Sequence, residues 1–318
     1  MREFRLMIAA FVTAVLAGAA AEGEERAGGL GRVQSFAYVL QAEHLGKTRG
    51  EAIAAMRDCG RDLLVTDVSH EGDDASRWTE SEVGRIRDGA PGRTVLAYLS
   101  IGEAEDYRSY WKKGWKESPP GFLLEENPDW EGNYRVNYWD PEWQEIILRD
   151  LDRIMAQGFD GIYLDIVSGF ENFEYDPESD EWIDDRRNPE TGRTFREDMI
   201  AWVKRLATHA RKKKGRSFRV VPQNGEQLLA DASYRETIDA IGVEDLFTNG
   251  KKEQTETGIA HRRGFLARLD RAPVLCIEYA ESRELREFAR NAAAAAGYRI
   301  LVTDRGLKTL GESGAPGR

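Results

Sequence analysis

Eight short apolar runs recur along the chain, and most are separated by a stretch whose apolar residues repeat at helical spacing. The runs are FAYVLQ (36–41), DLLVTDVS (62–69), TVLAYLSIG (94–102), GIYLDIV (161–167), FRVVPQN (218–224), IDAIGVEDL (238–246), PVLCIEYA (273–280) and RILVTDRG (299–306). Seven of the eight are continuously apolar rather than alternating. That is the pattern of parallel strands covered on both faces. The intervening amphipathic stretches predict helices over 50–60, 81–89, 141–158, 195–215 and 282–297. Several of these end on a glycine, as helix C-termini prefer. Eight strands alternating with helices predict an α/β chain folded as a single (β/α)8 TIM barrel over residues 35–310. A doubly wound open sheet is the alternative. It normally places a Gly-rich phosphate turn after the first strand, and QAEHLGKTRG lacks one.

Six of the predicted strands carry an acid near the C-terminal end, where a barrel builds its active site. Asp67, Glu103 with Glu105, Asp165, Glu244, Glu278 and Asp304 occupy these positions. Asp165 is the strongest candidate: it ends GFDGIYLDIV and directly precedes a long loop. Glu244 in IGVEDLF is the second, with Asp245 expected to point the opposite way in a regular strand. Two carboxylates flanking a bond are the requirement of glycoside hydrolysis, one as acid and one as nucleophile or base. Asp165 and Glu244 are therefore the expected catalytic pair. Tyr38, Asp67, Tyr98, Glu103, Glu105, Asn224, Glu278 and Asp304 are expected to line the substrate site. Tyr98 and Asn224 are the expected hydrogen-bond donors to Asp165.

Two long loops, 103–140 and 168–194, follow strands and would lie over the same face. The first holds eight Trp and Tyr residues between Tyr107 and Trp139, flat faces on which sugar rings stack. Most are expected to pack the loop itself, leaving two or three for ligand. Two other readings of the acids remain open. One is a metal-dependent barrel hydrolase, which would want paired ligands and a phosphate-binding element. The other is a non-catalytic barrel that binds a cationic amino-sugar polymer.

The formal net charge is −11, which argues against nucleic acid as a partner and suits a cationic substrate or simple solubility. The four histidines are scattered without HExxH or HxH spacing, so neither a metal nor a cofactor is expected. Cys59 and Cys276 belong to no CxxC motif and read as either free thiols or a bridge. The N-terminus has Arg2 and Arg5, then LMIAAFVTAVLAGA, then small residues at Ala19 to Ala21. This predicts a cleaved export signal over 1–21, with an uncleaved anchor as the alternative. Residues 22–34 read as a linker and 311–318 as a flexible tail. The mature protein is expected outside the cytoplasm, with no stable membrane insertion.

The strings FAYVLQ, TVLAYLSIGEAEDYRSYW, VNYWDPEWQ, GFDGIYLDIV, PQNGEQLL and GVEDLF resemble those of the endo-α-1,4-polygalactosaminidases, glycoside hydrolase family 114. The resemblance spans residues ~35 to ~308. It implies a (β/α)8 barrel that cleaves α-1,4-linked galactosamine polymers within the chain. The family's catalytic aspartate after the fourth strand matches Asp165, and its glutamate after the sixth matches Glu244. Polymeric galactosamine is cationic near neutral pH, and on this reading Glu103, Glu105, Glu226 and Glu278 would face its amino groups.

Overall fold

A computed structural model of the chain describes residues 29–314 apart from 177 and 271. The predicted export signal over 1–21 lies outside the described residues. Eight parallel strands form the centre: β1 (Phe36–Val39), β2 (Leu63–Thr66), β3 (Thr94–Ser100), β4 (Gly161–Asp165), β5 (Arg219–Pro222), β6 (Ile241–Glu244), β7 (Val274–Glu278) and β8 (Arg299–Val302). Each falls inside its apolar run. β1 to β5 pair consecutively in one parallel sheet, and β6 to β8 in another. A parallel bridge between Gln223 and Gly242 joins β5 to β6, with Asn224 N–H donating to Gly242 O at 2.8 Å.

The remaining seam, between β8 and β1, closes in a way the apolar pattern did not announce. Glu312–Ser313 forms a short strand antiparallel to β8. The Ser313 hydroxyl accepts from Phe36 N–H at 3.0 Å and donates to Ile300 O at 2.8 Å, stapling both barrel edges. Residues 312–313 are thus part of the barrel rather than of the expected flexible tail. At the other end Leu30 and Val33 are buried within the barrel's inner cluster, so the expected linker already contributes core from residue 30. In both places a few residues complete main-chain pairing or apolar burial that a bare sheet edge would leave open.

Alternate residues of each strand serve two cores. Phe36, Tyr38, Val65, Leu96, Tyr98, Tyr163, Val221, Ile277 and Tyr279 point inward and fill the barrel. Ala37, Val39, Leu64, Val95, Ile162, Leu164, Val243 and Cys276 point outward against the helices. Burial on both faces is why the runs read as continuously apolar.

Seven helices of six or more residues stand among the described residues: α1 (Arg49–Asp58), α2 (Glu80–Arg87), α3 (Pro141–Ala156), α4 (Phe195–Lys214), α5 (Ala232–Thr237), α6 (Glu256–Leu266) and α7 (Arg283–Ala296). Every one begins on a Thr, Asp or Ser whose side chain accepts a first-turn amide. Thr79 with Glu82 and Thr194 with Glu197 form full capping boxes. The sequence pattern missed α5 and α6. α6 buries only Leu266, so its apolar stripe is too thin to show, and the Thr255 cap was its remaining signal. None of the described helices is long and apolar enough to cross a membrane.

The long loops are structured excursions on the C-terminal face. Residues 103–136 form a three-stranded antiparallel sheet, in which Asn133–Val136 pairs with both Glu103–Glu105 and Leu123–Glu126. Val167–Phe170 and Glu171–Glu174 form helical turns, and Tyr175–Asp176 pairs antiparallel with Glu181–Trp182. Cys59 and Cys276 are free thiols.

Candidate active site

Asp165 and Glu244 are the last residues of β4 and β6, and strand alternation turns both into the barrel mouth. Two positions earlier stand Tyr163 and Gly242, both inward. Tyr163 fixes what Gly242 can be: a Cβ at Gly242 would fall on the Tyr163 hydroxyl. The glycine gives the phenol its space directly below Glu244.

Just past these strand ends the backbone bends sharply. Ile166, Asn224 and Asp245 all adopt positive φ, at 54°, 56° and 48°. For a β-branched residue such as Ile166 this costs on the order of 1–3 kcal/mol. The turn brings Ile166 N–H back onto Asp165 Oδ1 at 2.8 Å. It is the kind of local strain that concentrates where side-chain placement matters more than stability.

The two carboxyl groups sit in contrasting surroundings. Asp165 accepts from Tyr98 Oη at 2.8 Å on one oxygen and from Ile166 N–H on the other. Burial raises its pKa, and those two donors work against the rise by favouring the anion. Glu244 accepts from Gln223 Nε2 at 2.6 Å and Asn224 Nδ2 at 3.2 Å on Oε2, and from Tyr279 Oη on Oε1. Burial first, and the nearby Asp165 charge second, push Glu244 up to about 7. A carboxyl near 7 beside one whose anion accepts two hydrogen bonds can hold and release a proton at neutral pH. Asn224, expected beside Asp165, serves Glu244 instead, because its left-handed backbone turns the amide toward β6 and its Oδ1 accepts from Glu244 N–H at 3.0 Å.

Tyr38, Tyr98, Tyr163 and Tyr279 stand around the pair, all buried. The Tyr38 and Tyr163 rings lie 5.0 Å apart. Burial raises the Tyr38 phenol, and the adjacent Asp165 and Glu244 charges raise it further, so it stays protonated. The Tyr163 hydroxyl is buried without a hydrogen-bond partner among the described residues.

Of the other expected acids, Glu103 and Glu105 are electrostatically coupled to Asp165. Glu103 is buried, accepts from Asn127 Nδ2 at 2.8 Å, and feels the Asp165 charge, and among the described residues no cation pairs with it. Asp67 and Glu105 are also at the mouth, but Arg108 joins them. It donates to Asp67 Oδ2 at 2.6 Å and to Glu105 Oε2 at 2.7 Å, all three being buried. Glu226 is likewise paired, with Arg262. Glu105 and Glu226, expected to meet substrate amines, and Asp67, expected to line the site, thus already have cationic partners within the protein.

Glu278 and Asp304 do not face the pair. Glu278 is fully buried on the outward side of β7, accepting from Phe247 N–H at 2.8 Å, Thr248 N–H at 3.0 Å and Thr248 Oγ1 at 2.7 Å. Its inward neighbour Tyr279 reaches Glu244 instead. Leu275, Ile277 and Tyr279 form one inward series, and continuing that period-2 count was the signal for Tyr279. Asp304 caps its own turn through Lys308 N–H and the Thr309 amide and hydroxyl. Asp245 pairs with Arg305 rather than facing the pair. Gln223, Tyr163 and Arg108 were also missed. Gln223 sits two residues beyond inward Val221, a legible cue, whereas Arg108 lay in a loop where no periodicity applies.

Most loop aromatics pack on one another. Trp111, Trp115, Tyr134, Phe122 and Trp143 form a linked set of ring contacts, and Tyr138, Trp139, Phe173 and Phe195 another. Tyr107 and Trp130 of the first excursion remain exposed, at 45% and 52%, as does Trp182 of the second at 67%.

Residues 19–315 match the model of glycoside-hydrolase family GH114. The chain belongs to that family. It is a glycoside hydrolase built on a TIM barrel. An uncharacterized protein of Deinococcus radiodurans is 39% identical over 276 residues, covering 85% of this chain and 81% of the relative. An uncharacterized protein of Thermotoga maritima is 35% identical over 226 residues, covering 70% of this chain and 66% of that protein. The glycoside hydrolase domain of PelA from Pseudomonas aeruginosa superposes with a TM-score of 0.62 at 20% identity, over 89% of this chain and 99% of that domain. Aspergillus fumigatus Ega3, solved with galactosamine, superposes at 0.61 and 17% identity, over 88% and 94% of the two chains. At such identities the superpositions speak for the fold.

Proposed function

We propose that this GH114 hydrolase cleaves a galactosamine-containing polysaccharide within its chain by a retaining two-carboxylate mechanism. Asp165 attacks the anomeric carbon while Glu244 protonates the departing glycosidic oxygen. Glu244 then takes a proton from water, which displaces Asp165 and releases the sugar with its original anomeric configuration. The observation that carries this reading is the contrast between the two groups. Donors from Tyr98 and Ile166 favour the Asp165 anion, while burial and that same anion keep Glu244 protonated to about 7. Glu103, which feels the Asp165 charge and has no cationic partner among the described residues, is suited to a 2-ammonium group. Tyr107 and Trp130 supply exposed faces for flanking sugar rings. The N-terminal pattern of Arg2, Arg5 and an apolar core supports action outside the cytoplasm on a polymer.

The test is incubation of the purified protein with defined oligomers of galactosamine and N-acetylgalactosamine, read by mass spectrometry. Internal cleavage of an amino-sugar oligomer is expected, with NMR of the first-formed product showing the α anomer. Cleavage of neither oligomer overturns the substrate. The β anomer as first product overturns retention and makes Asp165 a base acting on water.

A further inference from the structure

Tyr279, the residue whose hydroxyl reaches Glu244, also lines a cavity of about 1020 Å³ whose charge is opposite to that of the cleft. Lys251, Lys252, Arg286 and Arg305 line it, with Glu281 and Asp304 as its acids. The Asp304 carboxylate is turned into its own loop by Lys308 and Thr309, which weakens its claim on the cavity. Among the described residues neither Lys251 nor Lys252 has an ion-pair partner for its ammonium group, in a chain of net charge −11. Free cations gathered against the overall charge of a protein mark a place where an anion is expected.

Tyr279 is shared by the cavity and the catalytic centre: it lines the first, and its hydroxyl donates to Glu244 in the second. Arg305 lies over the Tyr279 ring at 4.3 Å and is held by Asp245, the residue after Glu244, at 2.8 Å. The lysines are carried on a fixed hairpin. Thr248 at its base is clamped by buried Glu278, Thr248 bridges Glu253, and Asn249 Oδ1 caps the amides of Lys251 and Lys252. Gly250 turns at φ +90°, and a Cβ there would press on Tyr279 O at 3.3 Å. This explains an otherwise idle buried acid: Glu278 positions the cationic hairpin.

We propose that this cavity is a subsite for a sugar residue bearing a carboxylate, seated next to the amino sugar whose bond is cleaved. The substrate is then a glycan carrying amino sugars and acidic sugars in one chain. This rests on Asp165 and Glu244 being the catalytic pair. Glu103 receives the ammonium group on one side, and Lys251, Lys252 and the exposed edge of Arg305 receive the carboxylate on the other. A purely cationic polymer would meet repulsion at this wall.

Sodium D-galacturonate and D-galactose are titrated by calorimetry or NMR into the full chain, the Lys251→Ala/Lys252→Ala double variant and Asp165→Asn. Galacturonate should bind at least fivefold more tightly than galactose. The lysine pair variant should lose that difference, and Asp165→Asn should keep it. Equal affinity for the two sugars, or undiminished galacturonate binding by the lysine pair variant, overturns the proposal. Hydrolysis separates it from the catalytic reading. A galactosamine oligomer containing galacturonate should be cleaved at least tenfold more efficiently than a uniform one, the advantage disappearing in the lysine pair variant. Equal cleavage of both overturns the subsite and leaves the catalytic pair intact. Cleavage of neither, with lysine-dependent galacturonate binding, supports the subsite and removes the catalytic reading.

Discussion

Tyr98 Oη donates to Asp165 Oδ2 at 2.8 Å across β3 and β4, two residues beyond the point where Tyr98 and Tyr163 are direct register partners. The bond is charge-assisted when Asp165 is ionised, so it stabilises the anion by roughly 1.5–3 kcal/mol. Tyr98→Phe should raise the Asp165 pKa, moving the acidic limb of the kcat/KM profile to higher pH and lowering turnover about 10- to 100-fold. A pH–rate profile of the variant checks this. An acidic limb that does not move would separate Tyr98 from the ionisation of Asp165.

Asp165→Asn and Glu244→Gln should each lower kcat by several orders of magnitude with circular dichroism unchanged. In the parent protein activity should fall as pH rises through about 7, where Glu244 loses its proton. The same group links pH to stability. Its folded pKa lies above the ordinary 4.5, so its stabilising contribution is complete below about 4.5 and is lost as pH rises through about 7. Glu244→Gln, which cannot ionise, should therefore gain on the parent between pH 4 and 8 by on the order of 3 kcal/mol, measured by denaturant unfolding at both pH values. A constant difference across that range would mean that Glu244 titrates normally.

Gly242→Ala places a methyl group on the Tyr163 hydroxyl. It should displace the phenol, disturb Glu244 two residues on, and cost about 1–3 kcal/mol of stability as overpacking does. Adding Tyr163→Phe removes the colliding oxygen and should recover part of both stability and activity. Thermal melts and kinetics of the single and double variants give the coupling, and additive effects would dissociate the two residues.

Arg108 is the shared cation of Asp67 and Glu105. Arg108→Met leaves two buried carboxylates without their counter-charge and should destabilise by about 3–5 kcal/mol. Arg108→Lys should recover little, because one ammonium group cannot reproduce separate guanidinium bonds to two acids. Chemical denaturation measures both. A loss below about 1 kcal/mol would mean that the acids are solvated rather than buried.

The sequence by itself determined the barrel, its eight strand positions and the strand-end locations of Asp165 and Glu244. These are local properties: an apolar run long enough for a doubly covered strand, and an acid placed where that run stops. Five helices were legible for the same reason, through periodicity and caps, whereas α6 was not because it buries so little. Only the tertiary structure decided which acids stay available. Asp67 is neutralised by an arginine 41 positions away, and Glu244 receives its phenol from Tyr279, 35 positions on. Glu278 and Tyr279 are chain neighbours, yet one clamps a loop outside the barrel and the other serves its mouth, because successive strand residues face opposite sides. Charge pairing and desolvation depend on which distant groups share a space. In a barrel that sharing is fixed by strand register and closure, here including the Ser313 staple, and no local pattern in the chain encodes it.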